Sequence, residues 1–570
     1  MKKGRYVVII ILIFLFLATA TFLAFIYSQF NRPPEIGAAS YLEIGLSGPL
    51  PELAEPDWLT AHLLGRRPLS VHDFWENLRK AKVDDRVRCV LLRMGALDGG
   101  WAKAGELRDA ILDFRRSGKK VIAQIEEAPE FDREYYVATA CDRIVLHPLG
   151  WLGVNGLGGW VPFAKGGLDK LGVEAEFEHV EEYKTAYNMF TEKGLTGPHR
   201  EMLESMERDI FDEYVRTAAS ARKMKEEEFR ALLDHGLFQG QQAKDAGLVD
   251  DLMYDDELAA LLRDEGRKLD RLTLAEYDRV SPASLGLETG RRVALIYAMG
   301  PIITGEGYYE TIGGRTFARW LRQAREDRSV AAVVIRVDSP GGSAVGSDVI
   351  WREVQLAKKE KPVVVSMSDV AGSGGYWISM AASKIVAQPQ TLTGSIGVLA
   401  GKFSLAGLYQ KLGITAEKLT FGDRADMFST FRPLTPDERK LLKDQILWTY
   451  DRFLGKAAEG RSLTREEVDK VGRGRVWTGR QAKDIRLVDE TGGLTMAIGQ
   501  AKKLAGIPAE EEVRLDVWPK STSFLGSFFG RQEAPVKIPL PEEMGRLLTT
   551  LEALKDQNPL ALMPFWAPVQ

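Results

Sequence analysis

The chain contains the same long segment twice, and this duplication constrains the fold more than any other feature of the sequence. The stretch YYVATACDRIVLHP at residues 135–148 is matched by YWISMAASKIVAQP at residues 376–389, an offset of 241. Farther along, GQQAKDAGLVD at residues 240–250 is matched by GRQAKDIRLVD at residues 479–489, an offset of 239. An offset that stays nearly constant over more than 100 residues indicates duplication of a whole domain and is too long for a solenoid period.

The duplication divides the 570-residue chain into four parts. We expect a cytoplasmic tip and transmembrane anchor in residues 1–30, followed by a first repeat domain in residues 40–285. A second repeat domain is expected in residues 290–505, and residues 506–570 form a tail without a counterpart in the first copy. The length alone supports this division, because a chain of this size is too long for a single hydrophobic core.

Both copies alternate short β-branched runs with helical stretches, which is typical of an α/β fold. In the second copy, residues 330–337 and 361–367 are apolar runs that predict buried strands. Residues 347–359 between them have the pattern of a helix. The order strand, helix, strand predicts parallel sheets covered by helices.

The N-terminus has the pattern of a membrane anchor. Basic residues at positions 2, 3 and 5 precede a 22-residue run without charge at residues 6–27. That length is enough to cross a hydrocarbon core of about 30 Å, and the basic flank is expected to stay in the cytoplasm. A cleaved signal peptide is the alternative, because residues 18–20 resemble a cleavage site. We favour the uncleaved anchor, since apolar residues continue beyond that point.

Composition excludes several classes of function. The net charge is −4 and no basic stripe is present, so nucleic acid is not an expected partner. The six histidines show no metal-ligand spacing and there is no CxxC motif, so neither a metal site nor a cofactor is predicted. Cys89 and Cys141 are expected to be buried free thiols.

One turn distinguishes the two copies chemically. The second copy reads AGSGG at residues 371–375, which places Ser373 between a predicted strand and a predicted helix at residues 376–383. Such a turn exposes Oγ and directs N–H groups of the helix start at an incoming oxyanion. The first copy has Asp132 at the matched position. Taken alone this is weak evidence for catalysis, because most glycine-rich turns are only turns.

A second loop, residues 338–343, contains Gly341 and Gly342 and follows the preceding strand. Glycine at these positions allows a substrate carbonyl to approach the backbone closely. We expect Gly374 and one glycine of this pair to donate the N–H groups of an oxyanion hole.

A nucleophilic serine needs a base, and the histidine closest to Ser373 in sequence is the distant His235. A buried lysine can serve, because desolvation lowers the pKa of the ammonium group. Lys184 is the candidate, since the repeat offset maps it onto residues 423–425, where the second copy has no lysine. If the two copies share one active site, each needs to keep only one of the two residues, the first copy Lys184 and the second copy Ser373. The alternative, that Lys184 is an ordinary solvated lysine, stays open at this point.

Four segments resemble the signal peptide peptidase A family in its long, tandem-repeat form. They are SPGGS at 339–343, GSGGYWIS at 372–379, LTGSIGV at 392–398 and EYKTA at 182–186. The resemblance covers about residues 40–505, with both copies in order. The chain departs from the family pattern in its GSGG turn, where ASGG is common, and in its long tail.

The resemblance implies that each repeat has a crotonase/ClpP-like fold. It implies a serine endopeptidase with a Ser/Lys dyad, in which Ser373 is the nucleophile and Lys184 the general base. The implied substrates are remnant signal peptides and other hydrophobic peptides, cleaved on the periplasmic side of a bacterial-type inner membrane. A bowl-shaped homo-oligomer, a tetramer in the long form, is also implied. Ser395 is expected to orient Lys184 by a hydrogen bond, with an ordinary loop serine as the alternative.

Two other functions remain open at the level of sequence. One is an acyl-CoA enzyme on the same crotonase-like fold, although the expected extracytoplasmic location argues against a cytoplasmic cofactor. The other is an inactive membrane scaffold that binds hydrophobic peptides. The first copy, which has Asp132 in place of the serine, shows that a repeat can be kept without the nucleophile.

The tail contains two apolar features, a patch at residues 524–529 and an amphipathic pattern from Pro541 onward. The second predicts a helix whose apolar face consists of Met544, Leu547, Leu548, Leu551 and Leu554. A strap docked on the body of the protein and a membrane-surface contact are the two interpretations.

Overall fold

The structure is a computed structural model that describes residues 36–54, 68–128, 130–264, 266–307, 309–520 and 560–562, together with positions 14, 18 and 21. Apart from those three positions, the expected anchor at residues 6–27 lies outside the described residues. The same holds for the apolar patch at 524–529 and for the helix expected from Pro541. Within the described ranges, no helix is both long enough and apolar enough to cross a membrane.

The first repeat contains eleven short or medium strands and ten α-helices in the described ranges. The strands are β1 (Ser40–Pro49), β2 (Val87–Asp98), β3 (Lys120–Ile125), β4 (Arg143–Leu146), β5 (Trp151–Val154), β6 (Glu174–His179), β7 (Gly236–Gln239), β8 (Asp251–Leu252), β9 (Arg263–Asp264), β10 (Arg267–Lys268) and β11 (Asp270–Thr273). The helices are α1 (Val71–Val83), α2 (Trp101–Arg115), α3 (Asp132–Ala138), α4 (Lys165–Leu171), α5 (Asn188–Thr191), α6 (Gly197–Arg222), α7 (Glu226–His235), α8 (Gly240–Asp245), α9 (Asp255–Leu261) and α10 (Leu274–Tyr277), followed by a 3-10 turn (Pro282–Leu285). Six strands form a parallel sheet in the order β11-β1-β2-β3-β4-β8, while β5 pairs antiparallel with β7 and β9 with β10.

The second repeat follows the same plan. Its strands are β12 (Arg292–Met299), β13 (Ile302–Ile303), β14 (Ile312–Gly313), β15 (Val330–Ser339), β16 (Gly341–Ser343), β17 (Val363–Gly372), β18 (Lys384–Ala387), β19 (Leu392–Gly394), β20 (Leu399–Ser404), β21 (Val476–Thr478), β22 (Glu490–Thr491) and β23 (Arg514–Trp518). Its helices are α11 (Gly314–Glu326), α12 (Ala344–Glu360), α13 (Gly374–Ser379), α14 (Ala406–Lys411), α15 (Pro436–Arg461), α16 (Arg465–Val471), α17 (Gly479–Asp484) and α18 (Leu494–Leu504). One more strand, β24 (Leu560–Leu562), comes from the tail. The main sheet runs β21-β19-β17-β15-β12-β23, with β18 beside β17 and β22 beside β18, and only β21 is antiparallel to its neighbour.

The predicted α/β architecture with parallel sheets is therefore confirmed. The strand predicted at residues 330–337 continues to Ser339, and the helix predicted from residue 347 begins three residues earlier, at Ala344. The earlier start has a local cause, because Ser343 Oγ accepts a hydrogen bond from the N–H of Gly346 at 3.2 Å and caps the helix. The side chains of Cys89 and Cys141 are buried, as expected.

The duplication seen in the sequence is visible in the helices. Helices α6 and α15 are each 26 residues long, and each starts with a proline in its first turn after a threonine cap. The two repeats share part of their hydrophobic core, although a second cluster of buried side chains belongs almost entirely to the second repeat. One continuous cluster of buried side chains includes Phe74 and Trp101 of the first repeat with Leu295 and Val334 of the second.

A third sheet joins the two repeats. Its strand order is β14-β13-β16-β24-β20-β6, so β6 of the first repeat completes a sheet otherwise built from the second repeat and the tail. Strands β6 and β20 are antiparallel and pair from Glu174 with Ser404 to His179 with Leu399. The chain that leaves β6 is therefore held against the second repeat, and this segment contains Lys184.

Buried charges lie at the junction of the repeats. Arg336, on β15, is fully buried, and its guanidinium donates to Glu52 at 2.7 Å and to Glu106 at 2.6 Å. Both carboxylates belong to the first repeat. A buried ion pair contributes little net stability, but loss of one partner costs about 3–5 kcal/mol because the other charge is left unpaired. The arrangement thus specifies one relative position of the two repeats.

A second group of charges holds the ends of β15 and β17. Lys103 Nζ lies 2.9 Å from a carboxylate oxygen of Asp338, and Asp369 accepts hydrogen bonds from the N–H groups of Gly100 at 2.7 Å and Lys103 at 2.9 Å. Although burial opposes the charge on Lys103, Asp338 and Asp369 raise its pKa. The first turn of α2 in the first repeat is thereby fastened to the two strand ends from which the loops of the candidate site emerge.

Candidate active site

Ser373 occupies the sharp turn between β17 and α13. It is fully buried and adopts φ 54° and ψ −108°, a region that residues other than glycine rarely adopt. Its N–H donates to the carbonyl of Gly394 at 2.8 Å, which holds the turn in place. The helix that follows spans Gly374–Ser379 and is shorter than the expected 376–383 at its C-terminal end.

Lys184 reaches this serine from the first repeat. Its side chain is fully buried, and Nζ lies 2.8 Å from Ser373 Oγ. Nζ also lies 3.0 Å from the carbonyl oxygen of Ser395 and 3.0 Å from its Oγ. The structure thus brings together the three residues that the sequence analysis assigned to nucleophile, base and support.

The surroundings of Lys184 disfavour the ammonium form. Burial lowers the pKa of Lys184 well below its ordinary value, and within the described part of the chain no carboxylate forms an ion pair with Nζ to oppose that effect. A neutral amine has two N–H donors and one lone pair. These match the three neighbours, because the two N–H groups can donate to Ser395 while the lone pair accepts from the Ser373 hydroxyl.

Lys184 occupies space that is available because two neighbouring residues are glycines without side chains. At Gly474, where φ is +83°, a Cβ would lie 2.5 Å from the backbone nitrogen of Lys184, and at Gly397 it would lie 3.2 Å from Lys184 Cδ. The carbonyl of Arg473 accepts a hydrogen bond from the N–H of Tyr183 at 3.2 Å, which fixes the backbone one residue before the lysine. Sequence reasoning missed Gly474 and Arg473, since nothing in the motif around them points to Lys184.

The three glycines expected at the oxyanion hole are neighbours in space. A Cβ on Gly374 would lie 3.0 Å from the Cα of Gly341 and 3.1 Å from the nitrogen of Gly342. Gly341 and Gly342 both have positive φ, at 99° and 147°. The N–H of Gly341 donates to Ser339 Oγ at 3.2 Å. Gly374 and Gly342 are therefore the better candidates for donors that a substrate oxygen can use.

The first copy has no equivalent opening at the matched turn, which lies within the described residues. Asp132 stands there, and its carboxylate accepts hydrogen bonds from the N–H groups of Asn155 at 3.0 Å and Gly156 at 3.1 Å. Its pKa is raised to about 6, mainly by burial. Glu134 accepts a hydrogen bond from the N–H of Leu97 at 2.6 Å and ties the end of β2 to the same helix. In the first copy, carboxylate side chains of this helix therefore bind nearby backbone N–H groups.

Within the described ranges, no group of three or more His, Cys, Asp and Glu side chains is arranged to hold a metal ion.

The buried charges around Lys103 and Arg336 were not predicted from the sequence. Only the placement of Asp338 directly before the SPGGS segment gave a signal, because a carboxylate at the end of a buried strand needs a partner.

Comparison with known proteins shows similarity to peptidases in both repeats. The sequence profile of peptidase family S49 matches residues 113–269 and 355–508, one region in each repeat. The chain is 36% identical over 458 residues to "Serine protease SPPA, chloroplastic" of Arabidopsis thaliana, covering 78% of this chain and 67% of that protein. It is 32% identical over 457 residues to "Protease 4" of Haemophilus influenzae, covering 77% of this chain and 73% of that protein.

Among solved structures, a point mutant of ClpP1 from Listeria monocytogenes overlaps 36% of this chain and 91% of its own length. The sequence identity is 16% and the TM-score is 0.23. An overlap of this size carries no argument about activity.

Replacing the buried amine should stabilise the fold. We expect Lys184→Met to be about 1–2 kcal/mol more stable than the parent at pH 7, because the hydrophobic side chain removes the cost of burying an ionisable group.

The stability of the parent should also depend on pH. Between the lowered pKa of Lys184 in the folded protein and the ordinary lysine pKa of 10.5, the folded parent binds one proton fewer than the unfolded chain. The stability of the parent should therefore rise with pH in that window, and the variant should lose this slope. Chemical unfolding at pH 7 and pH 10 measures both effects.

The matched control is Lys193→Met, because the side chain of Lys193 is 74% exposed. It should leave the pH slope of the unfolding free energy unchanged. If Lys184→Met and Lys193→Met showed the same slope as the parent, Lys184 would not carry a lowered pKa.

Proposed function

Because the chain belongs to peptidase family S49 and is therefore a serine peptidase, we propose that Ser373 is its nucleophile and Lys184 its general base. The observation that carries the proposal is the 2.8 Å separation of Lys184 Nζ and Ser373 Oγ in a buried site, where no carboxylate of the described residues pairs with the lysine. A lysine can act as a base only when it is neutral, and burial favours that form.

In the proposed reaction, Lys184 takes the proton of Ser373 Oγ as the oxygen attacks the scissile carbonyl. The N–H groups of Gly374 and Gly342 then stabilise the negative oxygen of the tetrahedral intermediate. Lys184 returns its proton to the leaving amine, and a water molecule hydrolyses the acyl-enzyme by the same route. Ser395 acts as a positioning residue, because its carbonyl and Oγ hold the lysine nitrogen in line with the nucleophile.

Substitution of either dyad residue tests this assignment. We expect Ser373→Ala and Lys184→Ala each to lower kcat/KM for a fluorogenic apolar peptide by roughly 10³-fold or more, because the nucleophile and base act as a unit. Circular dichroism and the oligomeric mass should first show that both variants fold as the parent does. A serine-reactive covalent probe should label the parent at Ser373. An active enzyme that survives both substitutions would place the chemistry elsewhere, and loss in Ser373→Ala alone would mean that another group is the base.

The pH dependence provides a separate test of the base. Activity should fall as pH decreases through the lowered pKa of Lys184, because protonation removes the lone pair that accepts the serine proton. The measurement is kcat/KM from about pH 6 to about pH 9 with one peptide. A profile that is flat over this range would argue against a lysine base.

We further propose that the substrates are remnant signal peptides and other hydrophobic peptides, cleaved at the periplasmic face of a bacterial-type inner membrane. The support is the resemblance of the four motif segments and the apolar run at residues 6–27, which would hold the site near the membrane. If residues 6–27 anchor the chain, alkaline carbonate should leave the full chain in the membrane pellet. A chain starting near residue 36 should stay in the supernatant, and release of both would contradict the anchor.

A homo-oligomer is the remaining part of the proposal, and the internal repeat supports it. The offset of 241 relates LGVEAE at residues 171–176 to LGITAE at residues 412–417, so the counterpart of β6 is residues 415–420. The counterpart of β20 is residues 158–163. Neither counterpart is paired as a strand in the structure, although β6 and β20 pair with each other.

Both unpaired counterparts lie among side chains that are unusually exposed for their size. Trp160 is 92% exposed, Leu419 91% and Phe421 100%. We propose that residues 415–420 of one copy pair with residues 158–163 of the next, as β6 and β20 do within the chain. Such a head-to-tail contact closes into a ring when the rotation between copies allows it, and a tetramer is one closed form.

Charges placed on this surface should dissociate the oligomer. We expect the double variant Leu419→Asp/Phe421→Asp to be a monomer, because the contact would bury a carboxylate within the paired segment and another directly beside it. Multi-angle light scattering of the parent and the variant measures the mass. Leu504→Asp is the matched control, since Leu504 is also exposed but lies outside both segments, at the end of α18. A parent that is itself monomeric would contradict the proposal.

A further inference from the structure

An open cleft of about 690 Å³ lies in the first repeat, between α2, the segment that follows α3, and α6. A volume of this size is in the range of clefts that hold a small organic molecule. The residues that line it all lie outside the candidate active site, and basic residues outnumber acidic ones among them. The charged lining residues are Arg108, Arg115, Arg216, Arg222, Lys223, Asp142 and Asp250.

Three of the basic residues are neutralised by carboxylates. The pairs are Arg115 with Asp142, Arg216 with Glu213 and Arg222 with Asp250, each with a nitrogen–oxygen distance of 2.9 Å. Among the described residues, no carboxylate lies within ion-pair distance of the other two, Arg108 and Lys223. The cleft therefore has two positive charges that a ligand can neutralise.

Arg108 is buried, but the protein binds only part of its guanidinium. The residue is 8% exposed, and Nη1 donates to the carbonyl of Tyr136 and to Thr139 Oγ1. The guanidinium carbon also lies 4.5 Å from the centroid of the Tyr136 ring. Within the described part of the chain, Nε and Nη2 donate to no acceptor. These two nitrogens form one edge of the planar fork with which arginine binds two oxygens of an oxyanion.

The second repeat shows that this fold does not need arginine here. The glycine pairs that precede α2 and α12 align at an offset of 242, which places Ile350 opposite Arg108 and Ala357 opposite Arg115. Both counterparts are fully buried in the apolar core of the second repeat. Burying a charge in place of a hydrocarbon is costly, and departures of this kind are expected at functional positions.

The opposite wall of the cleft differs between the copies in the same sense. At the offset of 239, Thr217 and Ser220 of α6 correspond to Lys456 and Glu459 of α15. Lys456 Nζ lies 3.5 Å from the centroid of the Trp351 ring, so a long side chain covers the surface of α12 in the second repeat. The first repeat has short hydroxyl side chains at these positions, and its cleft stays open.

From this combination we propose that the cleft binds the phosphate group of a small organic phosphate, which is either a free phosphate ester or the headgroup of a phospholipid. The free oxygens of a phosphate point in different directions, which suits donors on two walls, Arg108 on α2 and Ser220 and Lys223 at the end of α6. Leu112 and Ala221 offer apolar surface to the rest of the molecule. The inference does not depend on the residues proposed for catalysis.

Isothermal titration calorimetry of the full chain in a neutral detergent tests the site. The probes are inorganic phosphate, glycerol 3-phosphate and monomeric dihexanoyl-phosphatidylglycerol, each at an ionic strength held constant with chloride, since salt screens weak charge attraction. We expect saturable binding of glycerol 3-phosphate. Arg108→Ile, which introduces the residue of the second repeat, should weaken it at least tenfold, because the charged hydrogen bonds are lost.

A second variant keeps the test independent of the buried position. Ser220→Glu places a competing carboxylate on the exposed wall, as in the second repeat, and should also weaken binding at least tenfold. Arg200→Gln is the matched control, because Arg200 lies on the same helix, outside the cleft, and its side chain is 61% exposed. It should bind with the affinity of the parent.

The three probes also identify the source of the phosphate. Binding of dihexanoyl-phosphatidylglycerol at least tenfold more tightly than glycerol 3-phosphate would assign a lipid headgroup, and any other order would assign a free ester. No saturable binding of any probe would overturn the proposal, as would unchanged affinity in both Arg108→Ile and Ser220→Glu. Acetate that binds as tightly as phosphate would overturn the choice of phosphate. Ser373→Ala should bind as the parent does, so failure of this site leaves the proposed function intact.

Discussion

The antiparallel pairing of β6 with β20 is the contact on which the candidate site depends. Lys184 follows β6 by five residues, so the register from Glu174 opposite Ser404 to His179 opposite Leu399 decides where the lysine lies. A slip of one residue would turn every side chain of β6 to the other face of the sheet. The proposed nucleophile and the proposed base come from different repeats, and this ladder helps to bring Lys184 Nζ to 2.8 Å from Ser373 Oγ.

The site combines two features that are unfavourable for stability. Ser373 has a positive φ, and Lys184 is a fully buried amine that pairs with no carboxylate of the described residues. Both persist because the surrounding backbone leaves no alternative: the Ser373 N–H is fixed by Gly394, and Lys184 fills a slot that Gly397 and Gly474 keep open. Strain and desolvation of this kind are tolerated where chemistry requires them. Burial by itself lowers the pKa of Lys184 and so favours the neutral amine over the ammonium form.

The two repeats have the same arrangement of strands and helices, but they contribute different residues to the candidate site. Buried contacts of Arg336 with Glu52 and Glu106 fix their relative position, and Lys103 with Asp338 and Asp369 joins the first turn of α2 to the strand ends beside the site. In the first copy, Asp132 and Glu134 occupy the corresponding turn and bind backbone donors, so that half serves as the support of the other. The same plan leaves the counterparts of β6 and β20 unpaired within one chain, and the tail strand β24 fills the remaining gap beside Gly342.

Patterns and offsets along the chain were sufficient to find the duplication and the α/β class, and to single out Ser373 and Lys184 as residues that each occur in only one copy. It also indicated Gly374, Gly341 and Gly342, since glycine at a turn has few alternatives. Only the tertiary structure showed that the Gly341 N–H is bound by Ser339, that Lys184 points at Ser373, and that burial lowers the pKa of Lys184. These properties arise from contacts between residues about 190 positions apart, such as Lys184 and Ser373, and from the burial of an amine that no described carboxylate pairs with. No local pattern encodes such an environment, and the same reason kept Gly474, Arg336 and the strand at residues 560–562 out of reach of sequence reasoning.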